Sequence, residues 1–158
     1  MSIAHTKHLL VDGSNIMHAW PELRALLPGD REAARSRLSQ ALAALHDAEH
    51  MRVTIVFDGR GAELTVDRPS GHASFAHVHT PTGTTADEVI IQLVRKAREA
   101  ADCVVATDDR GDREAVEALG AACVTAADLA SWARRAAERQ VARIARHRAE
   151  NDSRWRGR

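Results

Sequence analysis

Aspartates close three short apolar runs in this chain. HLLVD ends in Asp12, VTIVFD in Asp58 and ADCVVATD in Asp108, and Asp87 stands in TTADE where a helical pattern opens. Carboxylates gathered at one place repel one another, and a hard divalent cation is what makes such a group tolerable. Oxygen donors suit magnesium or manganese. His77 and His79 share a strand face near His72, but no neighbouring acid or cysteine completes a tetrahedral zinc set. The chemistry that follows is metal-assisted hydrolysis: the ion acidifies a bound water and neutralises charge developing on a phosphoryl group. Asn15, three residues after Asp12 in DGSN, adds a neutral group that could orient the acid or a bound water.

Each acid also has a structural reading. An aspartate after a strand is often a turn-former or a helix cap. Asp108 and Asp109 both precede a helix and either could cap it. Thr85-Ala86-Asp87-Glu88 matches a capping box, which makes Glu88 a cap partner and lets Asp87 face the helix dipole. The convergence of four acids carries the metal reading further than any one of them does.

That convergence requires a parallel sheet. Strands are expected at His8–Asp12, Val53–Asp58, Ala73–His79, Ala101–Asp108 and Ala121–Thr125. Helices are expected from Arg31 to about Met51, from Thr85 to about Ala100, over Arg113–Leu119 with Gly120 closing it, and from Asp128 as N-cap, fading after about Arg148. Gly59–Gly71, punctuated by glycine and proline, reads as a loop and a candidate substrate flap. Alternating strands and helices give a sheet covered on both faces, whose C-terminal strand ends share one edge. Ligands bind in the crevice at that edge. Asp12, Asp58 and Asp108 fall there, and Asp87, in the first turn of its helix, opens onto it.

The 158 residues fit one domain. No apolar stretch approaches the ~20 residues that span a bilayer, and the polar start does not resemble a signal peptide, so a cytoplasmic location is expected. Cys103 and Cys123 read as buried strand thiols. Formal neutrality hides an asymmetry: residues 129–158 hold nine arginines against Glu138, Glu150 and Asp152, a net of +6, over an acidic body. A basic tail of this kind is compatible with contact to RNA or a ribosome, and equally with a solvated helix. Neither G-x-x-x-x-G-K nor G-x-G-x-x-G occurs, which disfavours a phosphate-binding glycine loop.

The segments LLVDGSNIMHAWPEL, VTIVFDGRG, TPTGTTADEVIIQLV and VVATDDRGDREAVEALGAACVTAADL, in that order, resemble YacP-like NYN domains of the PIN-like nuclease group. The resemblance runs from about His8 to Leu129. It implies a three-layer α/β domain with a central, mostly parallel five-stranded sheet. The nuclease core would occupy residues 1–128, with 129–158 an arginine-rich helix and tail of the same domain. It further implies a Mg2+- or Mn2+-dependent endoribonuclease in which Asp12, Asp87 and Asp108 hold metal and Asn15 positions water or a carboxylate. Asp58, Asp109 and Asp112 are all candidates for a further acid. The family commonly has an aromatic where this chain has Ser14, and serine-aspartate where it has Thr107-Asp108; neither departure removes a carboxylate.

A polyanion needs basic groups around such a pocket. Arg60 and Arg68 on the loop after the second strand, and Arg110 and Arg113 beside Asp108, are the candidates for substrate binding. Trp20 could stack a base, although packing a helix onto the core is the commoner role. Two other functional classes stay open: a non-catalytic RNA- or ribosome-binding module, and a VapC-type toxin nuclease with an antitoxin partner. A receiver domain is disfavoured because Asp12 stands alone in its loop and no lysine follows Lys96. A haloacid-dehalogenase-type phosphatase would need D-x-D where this chain reads Asp12-Gly13-Ser14.

Overall fold

A computed structural model describes residues 6–156. Six strands form one sheet: β1 (His8–Asp12), β2 (Arg52–Gly61), β3 (Thr65–Asp67), β4 (Phe75–Pro81), β5 (Cys103–Ala106) and β6 (Ala122–Val124). Their order is β3-β4-β2-β1-β5-β6, all parallel except β3, which runs antiparallel to β4 at the edge. The helices are α1 (Gly13–Ala19), α2 (Pro21–Arg24), α3 (Arg31–Glu49), α4 (Ala86–Lys96), α5 (Arg110–Ala118) and α6 (Ala126–Arg156). The α/β class is as expected; the strand count rises from five to six. The difference lies in Gly59–Gly71. There β2 runs on to Gly61 and Thr65–Asp67 pairs with His77–His79. Pairing with a neighbouring edge overrides the glycine and proline punctuation that reads locally as loop.

β1 is central and buried on both faces, which is why it is an unbroken apolar run. Leu10 points into one core with Val56, Val78, Ile90, Val94, Val105 and Val116, beneath α4 and α5. Leu9 and Val11 point into the other with Ile16, Leu38, Leu42, Leu45, Ile55 and Phe57, beneath α1, α3 and α6. Each fully buried leucine or isoleucine contributes about 1.5–3 kcal/mol of transfer free energy. Chain connection from β1 turns one way to β2, while β5 lies on β1's other side. The C-terminal end of β1 is therefore the switch point of the sheet, where the two halves diverge and leave a crevice.

The helix ends follow from local chemistry. Asp30 caps α3, and His50 closes it in the left-handed region at φ 52°. Thr85 and Glu88 form the expected capping box on α4, with Thr85 N–H donating to Glu88 Oε2 at 3.1 Å. At α6 the expectation differs from the structure. Asp128 lies inside the first turn, and its N–H donates to Thr125 Oγ1 at 3.1 Å, so Thr125 takes the cap. The helix also continues to Arg156 instead of fading after Arg148. Its first turns bury Leu129, Ala133 and Ala136 against α3. Beyond the Arg139–Glu49 ion pair, Val141, Ile144 and Trp155 are exposed. No described helix is long and apolar enough to cross a membrane.

Trp20 packs. It is buried, and its indole N–H donates to Ala126 O at 2.8 Å, tying α2 to the start of α6. Trp132 donates to Glu49 at 3.3 Å, while Trp155 is 81% exposed. Both cysteines are free thiols, Cys103 buried and Cys123 half-buried.

Candidate active site

The apolar run of β1 forces Asp12 onto the same face as Leu10, toward α4 and α5. Asp12 is only 8% exposed and caps α1, accepting from Asn15 N–H at 3.2 Å. Gly13 is required directly after it: a Cβ there would lie 2.6 Å from the Phe57 ring and 3.0 Å from Val56 O. The chain thus turns directly from strand to helix at Gly13. Asn15 fixes the next element. Its Oδ1 accepts from Asp108 N–H at 2.9 Å, stitching the end of β1 to the end of β5.

The other acids divide into two groups. Asp58 accepts from Ala86 N–H at 3.1 Å, at the start of α4. Asp108 accepts from Ala126 N–H at 2.8 Å, at the start of α6. Asp109 caps α5 through Asp112 N–H at 2.9 Å, and the buried Thr107 hydroxyl accepts from Asp109 N–H at 3.1 Å. These three carboxylates each spend an oxygen on a helix N-terminus. Asp12, which likewise caps α1, lines a narrow crevice with Asp87 and Asp112, together with Ile90, Val105 and Val116. Of the acids singled out in the sequence, Asp12 and Asp87 come together there and Asp112 joins them. Asp108, two residues beyond the end of β5, is not among the lining residues. The signal for Asp112 is faint in sequence, because it lies not at the strand end but in the first turn of α5, after the connection through Asp109.

Burial dominates the electrostatics. The apolar floor raises the Asp12 carboxyl to about 6; the Asn15 N–H opposes this, and the charges of Asp58, Asp87 and Asp109 add to it. Asp112 is raised to about 7, first by desolvation, then by Asp87 and Asp109, and by a carboxyl–carboxyl hydrogen bond with Asp87. Raised acid pKa values produced by burial and by like charges mark sites that hold cations or protons. Among the described residues no three His, Cys, Asp or Glu side chains stand as a ready-made metal set. The donor chemistry nevertheless fits a hard divalent ion: the polar lining is oxygen from Asp12, Asp87, Asp112 and Thr107, and burial together with neighbouring carboxylates raises Asp12 and Asp112. The histidines lie away from the crevice lining: His77 bonds Ser39 Oγ at 2.8 Å and His79 pairs with Asp67 at 3.4 Å, an acid that β3 brings beside it.

The candidate arginines scatter. Arg110 makes an exposed pair with Glu114 at 3.6 Å, and Arg68 lies in the exposed turn between β3 and β4. Arg113, half-buried, accepts through its carbonyl from Cys123 Sγ at 3.7 Å. Arg60 lines a separate, larger cavity at the end of β2.

Known proteins share this fold. The profile of the YacP-like NYN domain matches residues 9–157. Protein YacP of Bacillus subtilis (strain 168) is 33% identical over 122 residues, 77% of this chain and 71% of that protein. The crystal structure of Rae1 (YacP) from Bacillus subtilis matches with a TM-score of 0.79 at 28% identity, over 94% of this chain and 85% of that one. A tryptophan-to-leucine mutant of Rae1 gives a TM-score of 0.74 at 29% identity, over 92% and 85%. The aspartate-rich crevice at the switch point is thus set in a fold shared with these relatives, and the chain belongs to the YacP-like NYN domain family, a branch of the PIN-like nucleases.

Proposed function

We propose that this protein is a divalent-metal-dependent endoribonuclease that hydrolyses RNA phosphodiester bonds at the Asp12–Asp87–Asp112 crevice. The observation that carries the reading is the meeting of these three carboxylates at the switch point of the sheet, over an apolar floor that raises two of them. Asp12, Asp87 and Asp112 would hold Mg2+ or Mn2+, with Asp109 and Asp58 adding charge from beside it. A bound ion of this kind supplies an acidified water and neutralises charge on the phosphoryl oxygens.

The protein's own contribution is placement. Asn15 is oriented by Asp108 N–H, which leaves its Nδ2 donors without a partner among the described residues and available to a substrate oxygen or a water. Asp108 anchors α6 and, through its N–H, Asn15; this supports a positioning role for it in place of direct ligation. Asp112 has its carboxyl raised by burial and by the charges of Asp87 and Asp109, and it hydrogen-bonds the Asp87 carboxyl. The floor of Ile90, Val105 and Val116 keeps bulk water out and strengthens each charge interaction.

The test is cleavage of labelled RNAs and DNAs in Mg2+ or Mn2+ by wild type and by Asp12→Asn, Asp87→Asn and Asp112→Asn. Metal-dependent RNA cleavage abolished in all three is expected. Cleavage that survives in Asp12→Asn would refute the assignment. The arginine-rich exposed part of α6 favours a second reading, an RNA- or ribosome-binding module without turnover. RNA binding with no cleavage under any divalent ion would select it.

A further inference from the structure

Beside the acid crevice, on the opposite face of β2, lies a cavity of about 610 Å³. Arg31 and Arg35, one helical turn apart at the start of α3, line it with Arg60 at the end of β2. Two acids share the lining, Asp58 and Glu63. Asp58 is already engaged by Ala86 N–H. The arginines are less committed. The Arg35 guanidinium lies 5.3 Å over the Phe57 ring, a cation–π contact that restrains it. One of its terminal nitrogens donates to Asp58 O at 3.3 Å, another stands 3.9 Å from Glu32, and its buried Nε has no hydrogen-bond partner. No ion pair is recorded for Arg31 or Arg60 among the described residues.

The backbone makes this cavity a fixed feature. Gly59 is pressed so closely on β4 that a Cβ would stand 2.1 Å from Thr80 O, and Gly59 N–H donates to Thr80 Oγ1 at 3.1 Å. That contact carries β2 past Asp58 and holds Arg60 opposite α3. Asp58 is common to both sites: it lines the cavity and its charge acts on Asp12. A strand crossing the C-terminal edge of the sheet would therefore pass from the arginines to the carboxylates.

We propose that Arg31, Arg35 and Arg60 form a phosphate subsite that grips the backbone of single-stranded RNA next to the bond cut at the acid crevice. Planar guanidinium groups with spare donors match phosphate oxygens, and one such group preset on an aromatic ring loses little freedom on binding. The lining holds no tryptophan or tyrosine, and its one ring, His79, is paired with Asp67 at 3.4 Å, which makes this a backbone contact, tolerant of sequence. The assignment rests on the nuclease reading for its substrate, but its test can be separated from turnover.

The experiment is fluorescence anisotropy with a labelled single-stranded RNA of about 12 nucleotides in EDTA, where no metal-dependent cleavage occurs. It compares wild type, Arg31→Gln/Arg60→Gln, and Arg52→Gln/Arg98→Gln, which removes the same charge at the far edge of the sheet. Arg35 is left intact because its packing on Phe57 supports the fold. In Arg31→Gln/Arg60→Gln the affinity should fall about tenfold or more, and the slope of log Kd against log salt should shrink by about 1.4, which is two single-strand phosphate contacts. The far-edge variant should keep the wild-type slope. Equal slopes in all three proteins, equal losses in both variants, or no RNA binding by wild type would each overturn the subsite. Cleavage assays in Mg2+ run beside it: wild type that binds through these arginines yet never cuts refutes the nuclease reading alone. Cutting with unchanged KM in Arg31→Gln/Arg60→Gln refutes the subsite alone.

Discussion

Replacing Asp12 with asparagine should stabilise the metal-free protein while removing its activity. Asparagine keeps the shape and can still accept from Asn15 N–H, so the cap on α1 survives. What disappears is a buried charge. Folding raises the Asp12 carboxyl from 3.8 to about 6, so the folded chain binds this proton more tightly than the unfolded chain does. Stability therefore falls as pH rises from about 4 to about 6, and the full cost persists above that. A shift of this size corresponds to about 3 kcal/mol at pH 8 and about 0.5 kcal/mol at pH 4. For a chain of this length that is about 6–12 °C in Tm at pH 8. Asp112, raised to about 7 and more open to solvent, adds a smaller effect of the same sign that persists to higher pH. The assay is thermal unfolding in EDTA from pH 4 to pH 8, repeated with millimolar Mg2+. Asp12→Asn should melt higher than wild type at pH 8, with the gap closing toward pH 4, and Mg2+ should raise wild type more than the variant. A variant that melts lower than wild type at pH 8 in EDTA would refute the argument that Asp12 is held ionised against its surroundings.

Gly59→Ala should lose about 2–3 kcal/mol in urea unfolding, because the added methyl meets the Thr80 carbonyl, which belongs to a paired strand. Stability within about 0.5 kcal/mol of wild type would mean β2 and β4 separate more easily than their contact implies. Asp108→Ala removes the acceptor for Ala126 N–H and should cost about 1 kcal/mol in the same assay. Its cleavage rate should fall less than that of Asp12→Asn; an equal loss would make Asp108 a metal ligand after all. Val141→Ser/Ile144→Ser should stay within about 0.5 kcal/mol of wild type, since both residues are exposed on α6. A larger loss, read from the urea midpoint, would show that this stretch of α6 packs on the body.

The sequence by itself determined the central strands, the cap of α4 and the acid-bearing edge. HLLV and VTIVF are apolar throughout because both faces of a parallel strand are covered, so their alternation with helical patterns identifies the fold. Thr85 and Glu88 specify the start of α4 by contacts three residues apart, which is a purely local code. Contacts between distant segments decided the rest. β3 exists because the edge of β4 offers unpaired backbone groups to Thr65–Asp67, a partner no local pattern encodes. Which acids face the crevice was settled in the same way. Asp108 ends a strand in sequence, yet it is drawn to the N-terminus of α6, whose start only the sheet order brings near. Asp112 enters the crevice because α5 and α4 pack side by side over β5 and β1. Which helix ends and which other carboxylates come near a given acid is a property of packing over long sequence separation.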